Sequence, residues 1–192
     1  MKRDDIAERA RRTLHEGRLK VVGVTLDAPS FAGARIEIDR EIAERPDSAS
    51  ALVHDIERDV FILAEQLRVP AYERGGAWLT ELVAGKIDGD ETPEACIRRE
   101  IEEEIGYSAS GKLEPIAVYF SAPGYSTERV HLFYAPVTSE DLVRPDAAGV
   151  DPGEDIQRFE IARTEFLDRL DKRDFQDGKI LALAGWALKR FG

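Results

Sequence analysis

The chain has 192 residues, a formal net charge of -11 and a single cysteine, Cys96. An acidic chain is not expected to have nucleic acid or an anionic membrane as its main partner, and one cysteine excludes an intramolecular disulfide framework. The charged N-terminal segment has no apolar signal region, and no stretch is long enough to span a bilayer. We therefore expect a cytoplasmic protein with a core large enough for an enzyme.

The first part of the chain is predicted to be an extension made of a helix and a strand pair. Residues 4–16 are charged throughout and predict a weak helix. The alternating segments 21–27 and 34–43 predict an antiparallel hairpin around a turn with Pro29 and Gly33. A Pro-containing boundary follows, so we divide the chain into residues 1–47 and 48–192.

Strands are predicted on both sides of one central helix in residues 48–192. The strand segments are 50–55, 59–67 and 78–84 before the helix, and 115–122 and 129–137 after it. A last amphipathic helix is expected from about Gly178 to Phe191. This order predicts a mixed α/β (α+β) sandwich, to which the N-terminal antiparallel strands are added.

The central helix lies within residues 85–107, GKIDGDETPEACIRREIEEEIGY. Thr92 is a good N-cap, Pro93 suits the first helical position, and Gly106 can take the left-handed conformation that ends a helix. These signals predict a helix from about Pro93 to Ile105.

Three carboxylates, those of Glu100, Glu103 and Glu104, share one face of this helix at a spacing of about 100° per residue. Like charges on consecutive turns repel each other, so a cation is expected to neutralise them, and hard oxygen ligands favour Mg²⁺ or Mn²⁺. The alternative is an ordinary solvated acidic face. Glycines at both ends of the segment and Arg99 at fixed spacing argue against that alternative.

The spacing of the segment resembles the Nudix box. The positions that match are Gly85, Glu91, Arg99, Glu100, Glu103, Glu104 and Gly106. From about Arg40 onwards the chain further resembles the ADP-ribose pyrophosphatase branch of the Nudix hydrolases, through DREIAER, AEQLRVPAY, WLTELVAG, SAPGYSTER and GEDI. The resemblance implies an α-β-α sandwich and a homodimer in which the N-terminal sheet lends residues to the partner's pocket.

The same resemblance implies a set of metal ligands. Mg²⁺, with Mn²⁺ as a substitute, would be held by Glu100, Glu104 and the backbone carbonyl of Ala84, with Glu103 as a further ligand. A late acidic loop would add Glu154. Arg99 is interpreted as the partner that orients Glu91.

The general base is less closely matched to the family. The family's catalytic glutamate falls on Pro152 in this sequence. Asp151 can take that role if the loop shifts by one residue, and Glu154 or Glu103 are the alternatives. A loop that is only a solvated spacer is the remaining interpretation.

Substrate contacts are also implied by the resemblance. Arg68 would lie on the diphosphate or the terminal ribose, Arg40, Glu41 and Arg45 near the nucleotide, and Glu128 near the distal sugar. Arginine suits phosphate because its guanidinium can donate two parallel hydrogen bonds.

The function implied is Mg²⁺-dependent hydrolysis of ADP-ribose to AMP and ribose 5-phosphate, with a small nucleotide sugar as the only expected ligand besides the metal. The C-terminal segment FQDGKILALAGWALKRF also resembles the pyrophosphatases of GDP-mannose and related nucleotide sugars. A third possibility, prompted by the altered base position, is a sensor that binds a nucleotide sugar without turnover.

Overall fold

Two compact units make up the protein. The computed structural model describes residues 2–147, 149 and 155–192. The smaller unit consists of the chain up to Asp47 together with Phe120–Arg129, and the larger consists of Ser48–Tyr119 and Val130–Gly192. No helix in these described ranges is long and apolar enough to cross a membrane.

Three antiparallel strands form the sheet of the smaller unit. They are β1 (Ala7–Glu16), β2 (Lys20–Pro29) and β3 (Arg35–Glu44), with β2 in the centre. The predicted hairpin is formed by β2 and β3. Its turn contains Gly33 at a φ of 86°, a conformation that glycine adopts without strain. The predicted antiparallel strand extension is therefore present.

The prediction of a helix at residues 4–16 is wrong. Only Arg3–Asp5 form a short 3₁₀ turn, and the chain then continues as β1. A helix in this charged segment would bury only the narrow stripe of Ile6, Ala10 and Leu14, and short helices depend on burial for their stability. As a strand, the segment instead pairs its charges across the sheet, since Nη1 of Arg11 lies 2.5 Å from Oε1 of Glu44.

Seven strands form the sheet of the larger unit. They are β4 (Ser48–Asp55), β5 (Val60–Leu67), β6 (Trp78–Glu81), β7 (Val83–Lys86), β8 (Glu114–Phe120), β9 (Arg129–Val137) and β10 (Ile156–Ala162). The main order is β10-β5-β4-β9-β8, while β6 pairs with β5 and β7 with β4. The sheet is mixed, because β4 runs parallel to β9 and antiparallel to β5.

Helices cover both faces of this sheet. They are α1 (Val69–Tyr72), α2 (Pro93–Glu100) with its π-helical continuation Ile101–Ile105, α3 (Arg163–Asp171) and α4 (Gly178–Phe191). Successive residues of a strand point to opposite faces. In β4, Ala51 and Val53 therefore join the core under α2, while Leu52 joins the core under α3 and α4. The predicted α-β-α sandwich is confirmed.

A buried histidine lies in β4, close to the C-terminal end of α4. The His54 Nδ1 lies 2.9 Å from the Tyr134 hydroxyl, and Nε2 lies 3.2 Å from Oδ1 of Asp59. The Phe61 ring packs against the imidazole, with 4.7 Å between the ring centroids. Burial lowers the pKa of His54, and the hydrogen bond with Asp59 opposes this effect without cancelling it.

We expect the free energy of unfolding to decrease as the pH falls below about 6.5, the ordinary pKa of histidine. In that range the unfolded His54 binds a proton that the folded residue does not, whereas above it the stabilisation is fully present. Urea denaturation at pH values of about 7.5 and 5.5 measures the decrease.

The variant His54→Gln should lose part of this pH dependence, because glutamine does not titrate. His15 lies exposed on β1, so His15→Gln is the matched control and should keep the wild-type decrease. An unchanged decrease in His54→Gln would contradict the assignment.

Candidate active site

The helix that carries the carboxylates is α2 with its continuation to Ile105, and we call it the carboxylate helix. It begins and ends as its sequence predicts. The Thr92 hydroxyl accepts a hydrogen bond from the Ala95 N–H at 3.2 Å, and Pro93 is the first helical residue. The helix ends at Gly106, which has a φ of 82°. A Cβ at Gly106 would overlap the carbonyl of Arg144, so both the conformation and the space require glycine.

The last turn of this helix, Ile101–Ile105, is π-helical. Such turns are rare and occur frequently at functional sites. Ile101 and Ile105 are fully buried, while Glu104 beside them is only 4% exposed. Glu103 is half-buried and Glu102 is exposed. The apolar face thus holds the helix on the sheet and forces the neighbouring carboxylates against the protein.

Arg99 lies among the carboxylates and contacts three of them. Its Nε and Nη2 donate to the two oxygens of Glu91 at 3.2 and 3.1 Å. Its Nη1 donates to Glu100 at 2.7 Å and to Glu103 at 2.9 Å. The hydrogen bonds that Arg99 donates to Glu91 are the largest cause that raises the pKa of Arg99, and the same bonds lower the pKa of Glu91. The predicted pairing of Arg99 with Glu91 is present.

Strand β7 brings the backbone of Ala84 and Gly85 to the carboxylates. The Ala84 N–H donates to Oε2 of Glu104 at 3.4 Å. A Cβ at Gly85 would overlap the carboxylate of Glu100, so only glycine leaves room for that side chain. Ala84, Glu100 and Glu104, which the sequence predicts as metal ligands, therefore lie together.

These donors suit a hard divalent cation, since they are carboxylate and backbone oxygens. In the ranges that the structure describes, no three Asp, Glu, His or Cys side chains are arranged as a metal site. Arg99 instead supplies positive charge between Glu100 and Glu103. A metal held by Glu100 and Glu103 would compete with that guanidinium.

The loop predicted to supply Asp151 and Glu154 lies outside the described residues, except at its flanks. Gly149 precedes it and donates its N–H to the carbonyl of Glu103 at 3.1 Å. The N–H of Arg144 donates to the carbonyl of Gly106 at 2.9 Å. The chain therefore enters this loop from the end of the carboxylate helix.

Arg68, predicted as a substrate contact, is paired with a residue that the sequence analysis missed. Its Nε and Nη2 donate to the two oxygens of Glu81 at 2.7 and 2.9 Å. The Lys179 ammonium lies 3.0 Å from the same carboxylate and 2.9 Å from Asp177. The available signal was a glutamate inside the apolar strand segment WLTELVA, because such a residue is buried only with a partner.

The other predicted substrate residues lie in the smaller unit. Arg45 and Glu128 come together there, with 3.8 Å between Nε and Oε2. The Ser121 hydroxyl also donates to Oε2 of Glu128 at 2.9 Å. Arg40 and Glu41 follow each other on β3, and Nη1 of Arg40 donates to the carbonyl of Asp39. Arg45 and Glu128 therefore form an ion pair with each other.

Comparison with known proteins identifies relatives along most of the chain. Residues 44–183 match the NUDIX domain family. GDP-mannose pyrophosphatase of Citrobacter koseri is 33% identical over 165 residues, which cover 85% of this chain and 84% of that protein. The enzyme of the same name from Pectobacterium atrosepticum is 35% identical over 153 residues, covering 79% and 77%.

A solved structure described as an ADP compounds hydrolase has a similar fold. It matches with a TM-score of 0.72 and 20% sequence identity, over 97% of this chain and 94% of that chain. At this identity the likeness concerns the fold alone.

We expect Gly85→Ala to weaken binding of a divalent cation by about ten-fold or more, because the new methyl group displaces the Glu100 carboxylate. Calorimetric titration with Mn²⁺ measures the affinity. Gly185 in α4 is the matched control, since a Cβ there meets nothing within 4 Å. Gly185→Ala should keep the Mn²⁺ affinity and add about 0.5–1 kcal/mol of stability. Wild-type affinity in Gly85→Ala would exclude Glu100 as a ligand.

Proposed function

The chain belongs to the NUDIX family of hydrolases, which act on pyrophosphate bonds, and we propose that it hydrolyses nucleoside diphosphate sugars with Mg²⁺. The observation that carries this proposal is the convergence of Ala84, Glu100 and Glu104, with a glycine at residue 85 where any side chain would collide. A solvated acidic helix would not need a glycine on the neighbouring strand to leave room for one of its glutamates.

The residues that would hold Mg²⁺ are Glu100, Glu104 and the Ala84 carbonyl, with Glu103 and Glu154 as further ligands. When bound, the metal neutralises the diphosphate and lowers the pKa of an attacking water. Mn²⁺ is the expected substitute, because it prefers the same oxygen ligands.

The protein's own residues orient these ligands and accept a proton. Arg99 fixes the positions of Glu91, Glu100 and Glu103 through its hydrogen bonds. Water attacks one phosphorus, the phosphoanhydride P–O bond breaks, and a carboxylate takes the proton of the water. We propose Asp151 as this base, with Glu154 or Glu103 as alternatives, because Gly149 connects the loop entrance to Glu103.

GDP-mannose is the substrate that the relatives support best. Proteins that are 33% and 35% identical over most of this chain bear the name GDP-mannose pyrophosphatase. The products would be GMP and mannose 1-phosphate. ADP-ribose, hydrolysed to AMP and ribose 5-phosphate, is the second candidate. It is supported by the resemblance of SAPGYSTER, with its Pro123-Gly124 turn, to the ADP-ribose branch.

Charged side chains are proposed to contact the substrate. We propose that Arg68 binds the diphosphate, that Arg40, Glu41 and Arg45 bind the nucleotide, and that Glu128 binds the distal sugar. We also propose a cytoplasmic homodimer. The smaller unit supports this assembly, because Phe31 at its hairpin turn is 99% exposed and Ile36 on β3 is 44% exposed.

The experiment that tests the function is an incubation with Mg²⁺ and four substrates: GDP-mannose, ADP-ribose, UDP-glucose and NADH. Chromatography resolves the nucleotide products. GMP released preferentially from GDP-mannose supports the first candidate, and AMP from ADP-ribose supports the second. No turnover of any of the four, with retained binding, would contradict hydrolysis of nucleotide sugars.

Replacing Glu104 by Gln should lower kcat by about 10²-fold or more, because the change removes a metal ligand without removing volume. Steady-state kinetics at saturating Mg²⁺ and circular dichroism measure activity and folding. Glu102 is exposed on the same helix, so Glu102→Gln is the matched control and should keep wild-type kcat. Near-normal kcat in Glu104→Gln would refute the metal assignment.

A further inference from the structure

A group of four charged side chains lies in the larger unit, at the end of β6. Its members are Arg68, Glu81, Asp177 and Lys179, which we call the Glu81 cluster. Glu81 is the centre, because it binds Arg68 through both oxygens and Lys179 through one of them. The Glu81 residue is 4% exposed, so this carboxylate is buried between two cations.

The cluster is charge-balanced and connects distant parts of the chain. Burial by itself would raise the pKa of Glu81, but Arg68 and Lys179 outweigh that effect and the pKa is lowered. Asp177 connects the backbone next to Glu81 with that of Lys179, since its carboxylate accepts hydrogen bonds from the N–H groups of Leu82 and Lys179 at 3.0 Å each. Glu81 is therefore ionised and held in place from two sides.

Arg68 is the member of the cluster that remains accessible. Its side chain is 42% exposed, compared with 18% for Lys179 and 5% for Glu81. The Nε and Nη2 groups of Arg68 donate hydrogen bonds to Glu81, and Nη1 does not take part in this contact. The negative charge of Glu104 contributes to the raised pKa of Arg68, after the larger effect of Glu81. Glu81, which holds this guanidinium, lies three residues before Ala84, whose N–H donates to Glu104.

We propose that Glu81 is a positioning residue, which holds the Arg68 guanidinium in one orientation so that its edge with Nη1 meets the diphosphate of the nucleotide sugar. This inference rests on the proposed function. An arginine on a flexible side chain loses rotational freedom when it binds phosphate. A bidentate carboxylate removes that freedom before the substrate arrives, which favours binding.

The proposal predicts an effect on substrate affinity rather than on the chemical step. Glu81→Gln keeps the volume and removes the charge that attracts both cations. We expect KM for the better of GDP-mannose and ADP-ribose to rise by about ten-fold, with kcat within about two-fold of wild type. A purely structural role would reduce the active fraction, so kcat would fall while KM stayed constant.

The variant Arg68→Lys provides a second test in which Glu81 itself is unchanged. Lysine keeps the positive charge but cannot form the bidentate hydrogen bonds that Arg68 makes with Glu81. If Glu81 acts through Arg68, adding Glu81→Gln to Arg68→Lys should change KM by less than about two-fold. A full additional increase in the double variant would overturn the proposal, as would an unchanged KM in a folded Glu81→Gln protein.

The control is an ion pair of the same unit that lies on the surface. Asp168 and Lys172 form such a pair on α3, with 2.7 Å between the charged atoms. Asp168→Asn should leave both KM and kcat unchanged, because exposed pairs contribute little. Thermal unfolding of every variant shows whether a change in kinetics accompanies a loss of folding.

The outcomes separate this inference from the proposed function. If the wild type hydrolyses a nucleotide sugar and Glu81→Gln keeps its KM, only the inference fails. If the wild type hydrolyses none, the proposed hydrolysis fails, and calorimetric Kd values for GDP-mannose decide on Glu81. Equal Kd values for wild type and Glu81→Gln would then overturn the inference. A wild type that neither binds nor hydrolyses the nucleotide sugars overturns both.

Discussion

Negative charge concentrated on a helix that also supplies the core is the constraint on which the larger unit depends. Ile97, Ile101 and Ile105 are fully buried under the sheet, so the helix cannot rotate without exposing them. The glutamates between these isoleucines are therefore fixed in place. Like charges at this spacing destabilise a helix by a few tenths of a kcal/mol per pair, a small cost compared with burial of three aliphatic side chains.

The carboxylates of the Glu81 cluster and those of the carboxylate helix have different partners. In the Glu81 cluster, two cations meet two anions, as is required of charges removed from water. At the carboxylate helix, one guanidinium, that of Arg99, contacts three carboxylates, those of Glu91, Glu100 and Glu103. Negative charge exceeds positive charge among these four side chains, which agrees with the proposal that they bind a divalent cation. The Glu81 cluster, by contrast, has equal numbers of positive and negative side chains.

Sequence reasoning succeeded where the determining contacts are local. The carboxylate helix follows from Thr92, Pro93 and Gly106, all within fifteen residues, and α4 begins and ends at the predicted residues. Capping groups and helical periodicity are properties of neighbours in the sequence, so a single chain reveals them. The hairpin of β2 and β3 was predictable for the same reason.

Sequence reasoning failed where the residue that a side chain contacts is distant in the chain. Arg11 of β1 pairs with Glu44 of β3, which lies 33 positions further along the chain, and no local pattern distinguishes such a strand from a weak helix. Lys179 contacts Glu81, which lies 98 positions earlier. Tyr107 is buried, and its hydroxyl accepts a hydrogen bond at 3.0 Å from Arg58, which lies 49 positions earlier.

This division between local and distant contacts bears on how chemistry and substrate preference are encoded. The carboxylates that would bind metal lie within one helix, and the glycine that makes room for them precedes it closely in sequence. Substrate preference, by contrast, must come from side chains outside the box, because members of one family share the box and differ in what they cleave. In this chain the side chains that we propose to bind the substrate have long-range contacts, such as that of Arg68 with Glu81 in the larger unit and that of Arg45 with Glu128 in the smaller. A sequence pattern therefore predicts the reaction more readily than the substrate, and the structure is needed to identify which arginines are held in position to bind it.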